Sequence, residues 1–342
     1  MPSKDIRVGL LAYGAIGDEH NSAIKATKGM TLAAICDTKP ERLEAALKIS
    51  PDAKTFTDAK QLLASGEIDL VVVSTPPNSH YSWAKEALTH GIHVMLEKPM
   101  ALTADQCDEL MALARSKELL IVVYQNRRYD LDFLTMKELI DTDQIGQVFH
   151  YESFVGGYSK PCSYWHSDAE VSGGAIFDWG SHFIDQIMSI VDSDVDFVSG
   201  LNQKRVWDHV TNADHAQVSI NFKDGLQAVF INSDLAAARK PKFYVLGTHG
   251  AIMGDWDESG DGSVADLPAI ISLHRADGTR KVIDYVSVEP YSFYSSLVAY
   301  LSDGTPMSIR AEQSRDVVAI MQAAEASALL NGKPVTPLLL RA

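Results

Sequence analysis

Short apolar runs alternate with amphipathic stretches through the first third of the chain. Strand-length runs stand at residues 6–12, 32–36, 70–74, 93–96 and 119–124. They are nearly unbroken in Val, Leu and Ile, as expected of strands covered on both faces of a parallel sheet. The stretches between them carry helix punctuation, so this part reads as a series of βαβ units. Thr38 with Glu41 makes a capping-box pattern, with Pro40 in the first turn, and Thr103 with Gln106 repeats the device. Gly66 and Gly91 stand where helices should stop.

The pattern changes after about Tyr124. Residues 132–140 have helical spacing, and then a period of two takes over. Residues 217–222 and 227–232 flank Lys223-Asp224-Gly225, and 270–274 and 281–285 flank Ala276-Asp277-Gly278. Both are hairpin signals. This half therefore reads as an antiparallel sheet with helices on one face, closed by a helix over 312–330 that Asn331-Gly332 ends. No internal repeat, low-complexity tract or long linker interrupts it. The expected division is an α/β dinucleotide-binding domain over residues 1–124 and an α+β domain over 125–342, with the C-terminal helix a candidate to pack back on the first.

A length of 342 residues suits two domains. The net charge of −15 argues against partners that need a basic footprint, nucleic acid and anionic membrane alike. It leaves an anionic cofactor open, because backbone N–H groups rather than net charge hold phosphates. Cys36, Cys107 and Cys162 are odd in number and far apart, which fits neither a disulfide framework nor a zinc site. A reducing compartment is expected. A strand from residue 6 leaves no room for a signal peptide, and no apolar run approaches the roughly 18 residues of a membrane span. The expected location is cytoplasmic.

The first turn reads Ala12-Tyr13-Gly14-Ala15-Ile16-Gly17. Glycines at such a turn allow close approach of a pyrophosphate to a helix N-terminus. Ala12 occupies the usual first-glycine position. The turn follows a strand and opens a helix, and Asp37 closes the second strand twenty residues after Gly17. A carboxylate there accepts hydrogen bonds from the adenosine ribose. On the plainer reading Gly14 and Gly17 only make a turn and Asp37 only caps a helix. Asp37 also repels a 2′-phosphate, so NAD is expected; Lys39 and Arg42 nearby make NADP the alternative. Ser74, Thr75, Asn78 and His80 end the next long strand and are candidates for the ribose and nicotinamide side, although Asn78 or Ser79 equally suits a helix cap. Glu97-Lys98-Pro99 follows the strand at 93–96. Ligands of a doubly wound sheet bind outside the carboxyl ends of its strands, so Glu97 and Lys98 should face the cofactor.

Gly173-Gly174-Ala175-Ile176-Phe177-Asp178-Trp179-Gly180-Ser181-His182 has the periodicity of a helix that begins at a pocket. Asp178 and His182 are four apart and on a helix would share one face. An imidazole beside a carboxylate is a usual base near neutrality. The same pair could merely brace the helix. It lacks a third ligand at suitable spacing, so no metal is expected.

These segments, together with Gln125-Asn126-Arg127-Arg128-Tyr129-Asp130 and Asp185, resemble the glucose-fructose oxidoreductase/inositol dehydrogenase/MocA family, and the similarity spans essentially the whole chain. The resemblance implies a Rossmann domain followed by a domain with a large open, mostly antiparallel sheet, and a homo-oligomer, dimer or tetramer. It implies a cis peptide before Pro99 and a catalytic set carried onto Lys98, Asp178 and His182. Hydride would pass between a sugar or cyclitol carbon and the nicotinamide, with His182 as base, Lys98 on the same oxygen and Asp178 orienting its partners. Arg127, Tyr158, Trp165, His166 and Tyr291 are candidates for the remaining substrate surface, since aromatic faces with polar ends suit sugars; each also suits a core. Glycoside cleavage through transient oxidation, a sensor of NAD and sugar, and a dihydrodiol or biliverdin type of reductase are the alternatives. Retention of all three catalytic candidates argues against a pure sensor, and Asp178 with His182 suits hydroxyl oxidation better than the reductase, whereas glycoside cleavage would use the same machinery.

Overall fold

The apolar runs become strands β1 (Ile6–Leu11), β2 (Met30–Cys36), β4 (Leu70–Val73), β5 (His93–Leu96) and β6 (Ile121–Val123), and a short, mostly exposed strand that no apolar run announces, β3 (Lys54–Phe56), joins them. Helices α1 (Gly17–Ala26), α2 (Pro40–Ile49), α3 (Ala59–Ala64), α4 (His80–Thr89) and α5 (Ala104–Ser116) connect them. All pairings are parallel, in the order β3-β2-β1-β4-β5-β6. This is the doubly wound order that places a dinucleotide where β1 and β4 diverge. β4 is buried at every position, which explains its unbroken apolar run. Gly66 and Gly91 take φ of +69° and +78° just beyond α3 and α4. The Thr38–Glu41 box does not form: Pro40 takes the first helical position, so Lys39 becomes the N-cap, without a side-chain bond. At α5 the Thr103 hydroxyl does accept from the Gln106 amide at 3.2 Å.

The computed structural model describes residues 5–257 and 267–340. It divides into two units, Met1–Gln125 with Glu289–Arg315 and Asn126–Val288 with Asp316–Ala342. The second unit contains α6 (Leu131–Asp141), β7 (Val148–Gly156), a short α7 (Ala169–Ser172) and α8 (Gly180–Ile190). The strands β8 (Val195–Gln203), β9 (His215–Phe222), β10 (Gln227–Ser233), β11 (Phe243–Gly247), β12 (Gly250–Asp255), β13 (Ile270–Arg275) and β14 (Arg280–Val282) follow. Helix α9 (Ser292–Asp303) belongs to the first unit. Helix α10 (Ala311–Leu329) begins there, where Arg315 pairs with Asp108 through two 2.9 Å bonds.

The eight strands run in the order β14-β13-β12-β11-β7-β10-β9-β8. All neighbours are antiparallel except β7 and β10. Both expected hairpins form, with Gly225 and Gly278 at φ of +92° and +87°, although β14 is shorter than the run predicts. β9 alternates half-buried and buried positions along its length, so one face carries the core. On that face Phe230 of β10 stacks on Phe183 of α8 at 5.5 Å. Close packing also explains Gly200 of β8, where a Cβ would lie 1.9 Å from the Ala324 carbonyl oxygen of α10.

Candidate active site

The dinucleotide turn is built by backbone geometry and two anchored side chains. Ala12 stands at φ +73°, the left-handed region that a glycine enters freely, so the substitution at this position carries local strain. Tyr13 is buried; its ring fills the space that a Cβ on Gly17 would need, at 2.8 Å. Its amide donates to Asp37 at 2.8 Å. A Cβ on Gly14 would meet nothing within 4 Å, so the turn opens to solvent there. Ala15 is exposed and Ile16 is the N-cap of α1 with no side-chain bond, so no side chain competes with an anion for the amides beyond Gly17, whose own amide donates to the Gly14 carbonyl at 3.0 Å. The acids of that first turn are tied elsewhere: Asp18 accepts from the Tyr13 hydroxyl and Glu19 from the Tyr124 hydroxyl. Asp37 is buried and also accepts from the Lys39 amide and Arg42 Nη1, at 2.9 and 3.2 Å. These residues fit a dinucleotide.

Ser74 donates to the Ala12 carbonyl at 2.8 Å, tying the end of β4 to the turn. Thr75 accepts the Ser79 hydroxyl, and Asn78 is exposed. His80 is fully buried, and backbone carbonyls occupy both of its ring nitrogens. Glu97 and Lys98 are half-buried, and the Lys98–Pro99 bond is cis. Burial opposes ionisation of Glu97, but contacts from His20 and Lys98 outweigh it and hold the carboxyl below its usual range.

In the second unit α8 starts only at Gly180, and Asp178 lies in the turn before it. The shared helix expected for Asp178 and His182 therefore holds only His182. Gly173 and Gly174, at φ of +92° and +108°, delay the helix. Asp178 instead lines a cavity of about 260 Å³ with Tyr164, His166, Trp179, Asn212, Asn232 and Asp234. His182 is 6% exposed, in the first turn of α8, with its ring centroid 6.0 Å from that of Trp179. Arg127 lies over the Trp179 ring at 4.8 Å and pairs with Asp130 at 3.2 Å. Trp165 stacks on His166 at 3.5 Å. Arg128 grips Asp185 through two 2.6 Å bonds beneath this surface.

One candidate stands elsewhere. Tyr158 is 60% exposed, packs on Trp207 and lines a different cavity with Trp256. Tyr291 belongs to the first unit, where it caps α9.

Trp179, Asn212, Asn232 and Asp234 escaped the sequence reading. For the last three a signal was present in the hairpin, whose register pairs Ser233 with His215 and brings 212–215 and 232–234 to one end of the sheet. Among the described residues no group of three His, Cys, Asp or Glu is placed to hold a metal ion, and no helix is long and apolar enough to cross a membrane.

Comparison with known proteins identifies the family. An uncharacterised oxidoreductase of Schizosaccharomyces pombe is 33% identical over 59% of this chain, which spans 57% of that relative. The scyllo-inositol 2-dehydrogenase (NADP(+)) IolW of Bacillus subtilis is 25% identical over 93% of this chain and 92% of its own. The structure of the oxidoreductase yvaA from Bacillus subtilis superposes with a TM-score of 0.89 at 23% identity, covering 99% of this chain and 100% of that one, which shows the shared fold. Residues 6–125 match the model of an oxidoreductase family with an NAD-binding Rossmann fold, and residues 133–253 match the GFO/IDH/MocA C-terminal domain. Matched across both halves, the chain belongs to the Gfo/Idh/MocA family of NAD-binding oxidoreductases.

Proposed function

We propose that the protein is a sugar or polyol dehydrogenase that works on NAD, with NADP as the alternative. The observation that carries this reading is the Asp178 cavity, walled by two carboxylates, two amides and aromatic rings. Such a wall meets a hydroxyl-rich ring with acceptors, donors and flat faces. The inositol specificity of the Bacillus subtilis relative points the same way. Bound nicotinamide supplies the hydride acceptor. His182 takes the hydroxyl proton and passes it on to solvent. Lys98 hydrogen-bonds the same oxygen and stabilises its developing negative charge. Asp178 orients the reacting groups. Arg127, Trp165 and His166 complete the second unit's share of the substrate surface, and Tyr291 is the candidate that the first unit holds. Assembly as a dimer or tetramer in the cytoplasm belongs to the same reading and is checked by light scattering and cell fractionation.

The test is a panel of aldoses, glycosides and inositols with NAD and with NADP, followed by absorbance of the reduced cofactor. Oxidation of a free polyol supports the reading. Consumption of a glycoside without net reduced cofactor replaces it with glycoside cleavage. Lys98→Met is expected to lower kcat by roughly 10²–10³-fold, the range for one oxyanion donor, with NADH affinity little changed. The reverse pattern makes the lysine a cofactor anchor.

The cavity also predicts a pH dependence. Burial, with Asp214 and Asp178 nearby, pushes the Asp234 carboxyl up to about 6. Its charge is therefore complete above about pH 7 and lost below about pH 5. A carboxylate that accepts a substrate hydroxyl then makes kcat/KM fall as pH drops through this window, and Asp234→Asn should flatten that limb. An unaltered acid limb in the variant assigns the step to another group.

A further inference from the structure

Two buried histidines outside the expected catalytic set converge on the segment that carries Lys98. His20, on α1, and His80, at the start of α4, are both 0% exposed. His20 Nε2 lies 3.0 Å from Glu97 Oε1, and its Nδ1 lies 2.6 Å from the Tyr294 hydroxyl of α9. A carboxylate only accepts, so Nε2 carries a proton and donates to Glu97, while the Tyr294 hydroxyl partners Nδ1 and donates to it when the imidazole is neutral. The other Glu97 oxygen, Oε2, accepts from the backbone amide of Lys98 at 3.2 Å. On the far side, His80 Nδ1 lies 2.7 Å from the Pro99 carbonyl and Nε2 lies 2.8 Å from the Thr75 carbonyl. A neutral imidazole, the form that burial favours, donates to only one of the two, and the clamp places that proton on Nδ1, toward Pro99. The residues before and after Lys98 are thus each held by an imidazole without access to water. The Glu97 amide, donating to Val73 at 3.0 Å, seats the segment on β4.

We propose that His20 and His80 are positioning residues that clamp Glu97–Pro99 from two sides and thereby fix the lysine ammonium for its work. The proposal rests on the reading of Lys98 given above. Its physical basis is cost: a buried carbonyl or carboxylate that loses its donor must shift to find another. Such a shift moves the lysine stem, and a displacement of about 1 Å at a reacting group lowers turnover by up to roughly 10²-fold. His20 sits in the helix opened by the dinucleotide turn, and Tyr294 and Glu97 lie on other elements, so the clamp also ties that helix to the lysine.

The side-chain amides separate this role from plain structural support. In His80→Asn the amide nitrogen replaces Nδ1 and keeps the Pro99 contact. In His80→Gln it replaces Nε2 and keeps only the Thr75 contact. His20→Gln keeps the Glu97 contact. Each variant is assayed with NAD and myo-inositol, or the panel member that turns over fastest, and NADH binding is measured by fluorescence. His20→Ala and His80→Gln should lose roughly 10- to 10²-fold in kcat with NADH affinity nearly unchanged, whereas His80→Asn and His20→Gln should recover most of it. Equal turnover of His80→Asn and His80→Gln overturns the clamp, and so does a loss confined to KM and NADH binding. Lys98→Met is run alongside. If that variant keeps wild-type turnover, the catalytic reading of the lysine falls and the proposal falls with it; if it is inactive, the histidine series judges the clamp alone.

Discussion

His182→Ala is expected to lower kcat by roughly 10²–10⁴-fold, the usual contribution of one acid–base group. The expectation follows from where the imidazole stands. It is 6% exposed, in the first turn of α8, and its backbone amide donates to the Trp179 carbonyl at 3.0 Å. That bond and the Trp179 ring, whose centroid is 6.0 Å away, restrict the orientations open to it. Turnover lost with binding of NADH intact would identify a group needed only in the chemical step. Turnover within about threefold of wild type would remove His182 from the role of base. Because Arg128 and Asp185 brace the same helix, the variant should keep its fold, which a thermal melt checks.

The second large effect concerns stability. Lys242→Met should destabilise the second unit by about 3–5 kcal/mol, because it strands a buried carboxylate. Lys242 donates to Asp132 Oδ2 at 2.7 Å, with side-chain exposures of 3% and 0%. The Ala269 amide donates to the same oxygen and the Phe133 amide to Oδ1, both at 2.7 Å. Removing the ammonium leaves one negative charge facing two neutral donors in a dry site. Methionine keeps most of the volume, so lost packing contributes little. Replacing both partners with apolar residues of similar size should recover most of the loss, since the pair had to be desolvated to form. Urea titrations of the two single variants and the double variant measure this. A single variant within about 1 kcal/mol of wild type would show that Asp132 reaches water.

The first unit was legible because its signals are local. An unbroken apolar run, a glycine turn and an acid at the end of the next strand each lie within one window of sequence, and the parallel order follows from right-handed crossovers. The second unit was legible in its hairpins, where Lys223-Asp224-Gly225 and Ala276-Asp277-Gly278 set the connection, but not in the parallel pairing of β7 with β10. Between those two strands lie helices and two further strands, and nothing local specifies which neighbour β7 takes.

The site divides in the same way. Residue types alone, in their order along the chain, identified the dinucleotide turn, Asp37, Lys98, Asp178 and His182 as the groups to watch. Folding decided how several of them are held: Asp178 sits in a turn because Gly173 and Gly174 postpone the helix. His20 meets Glu97 across 77 positions of chain, and Lys242 meets Asp132 across 110. No periodicity encodes such meetings. They arise because strand register and helix packing bring distant side chains into the dry interior, where a polar group must find a partner.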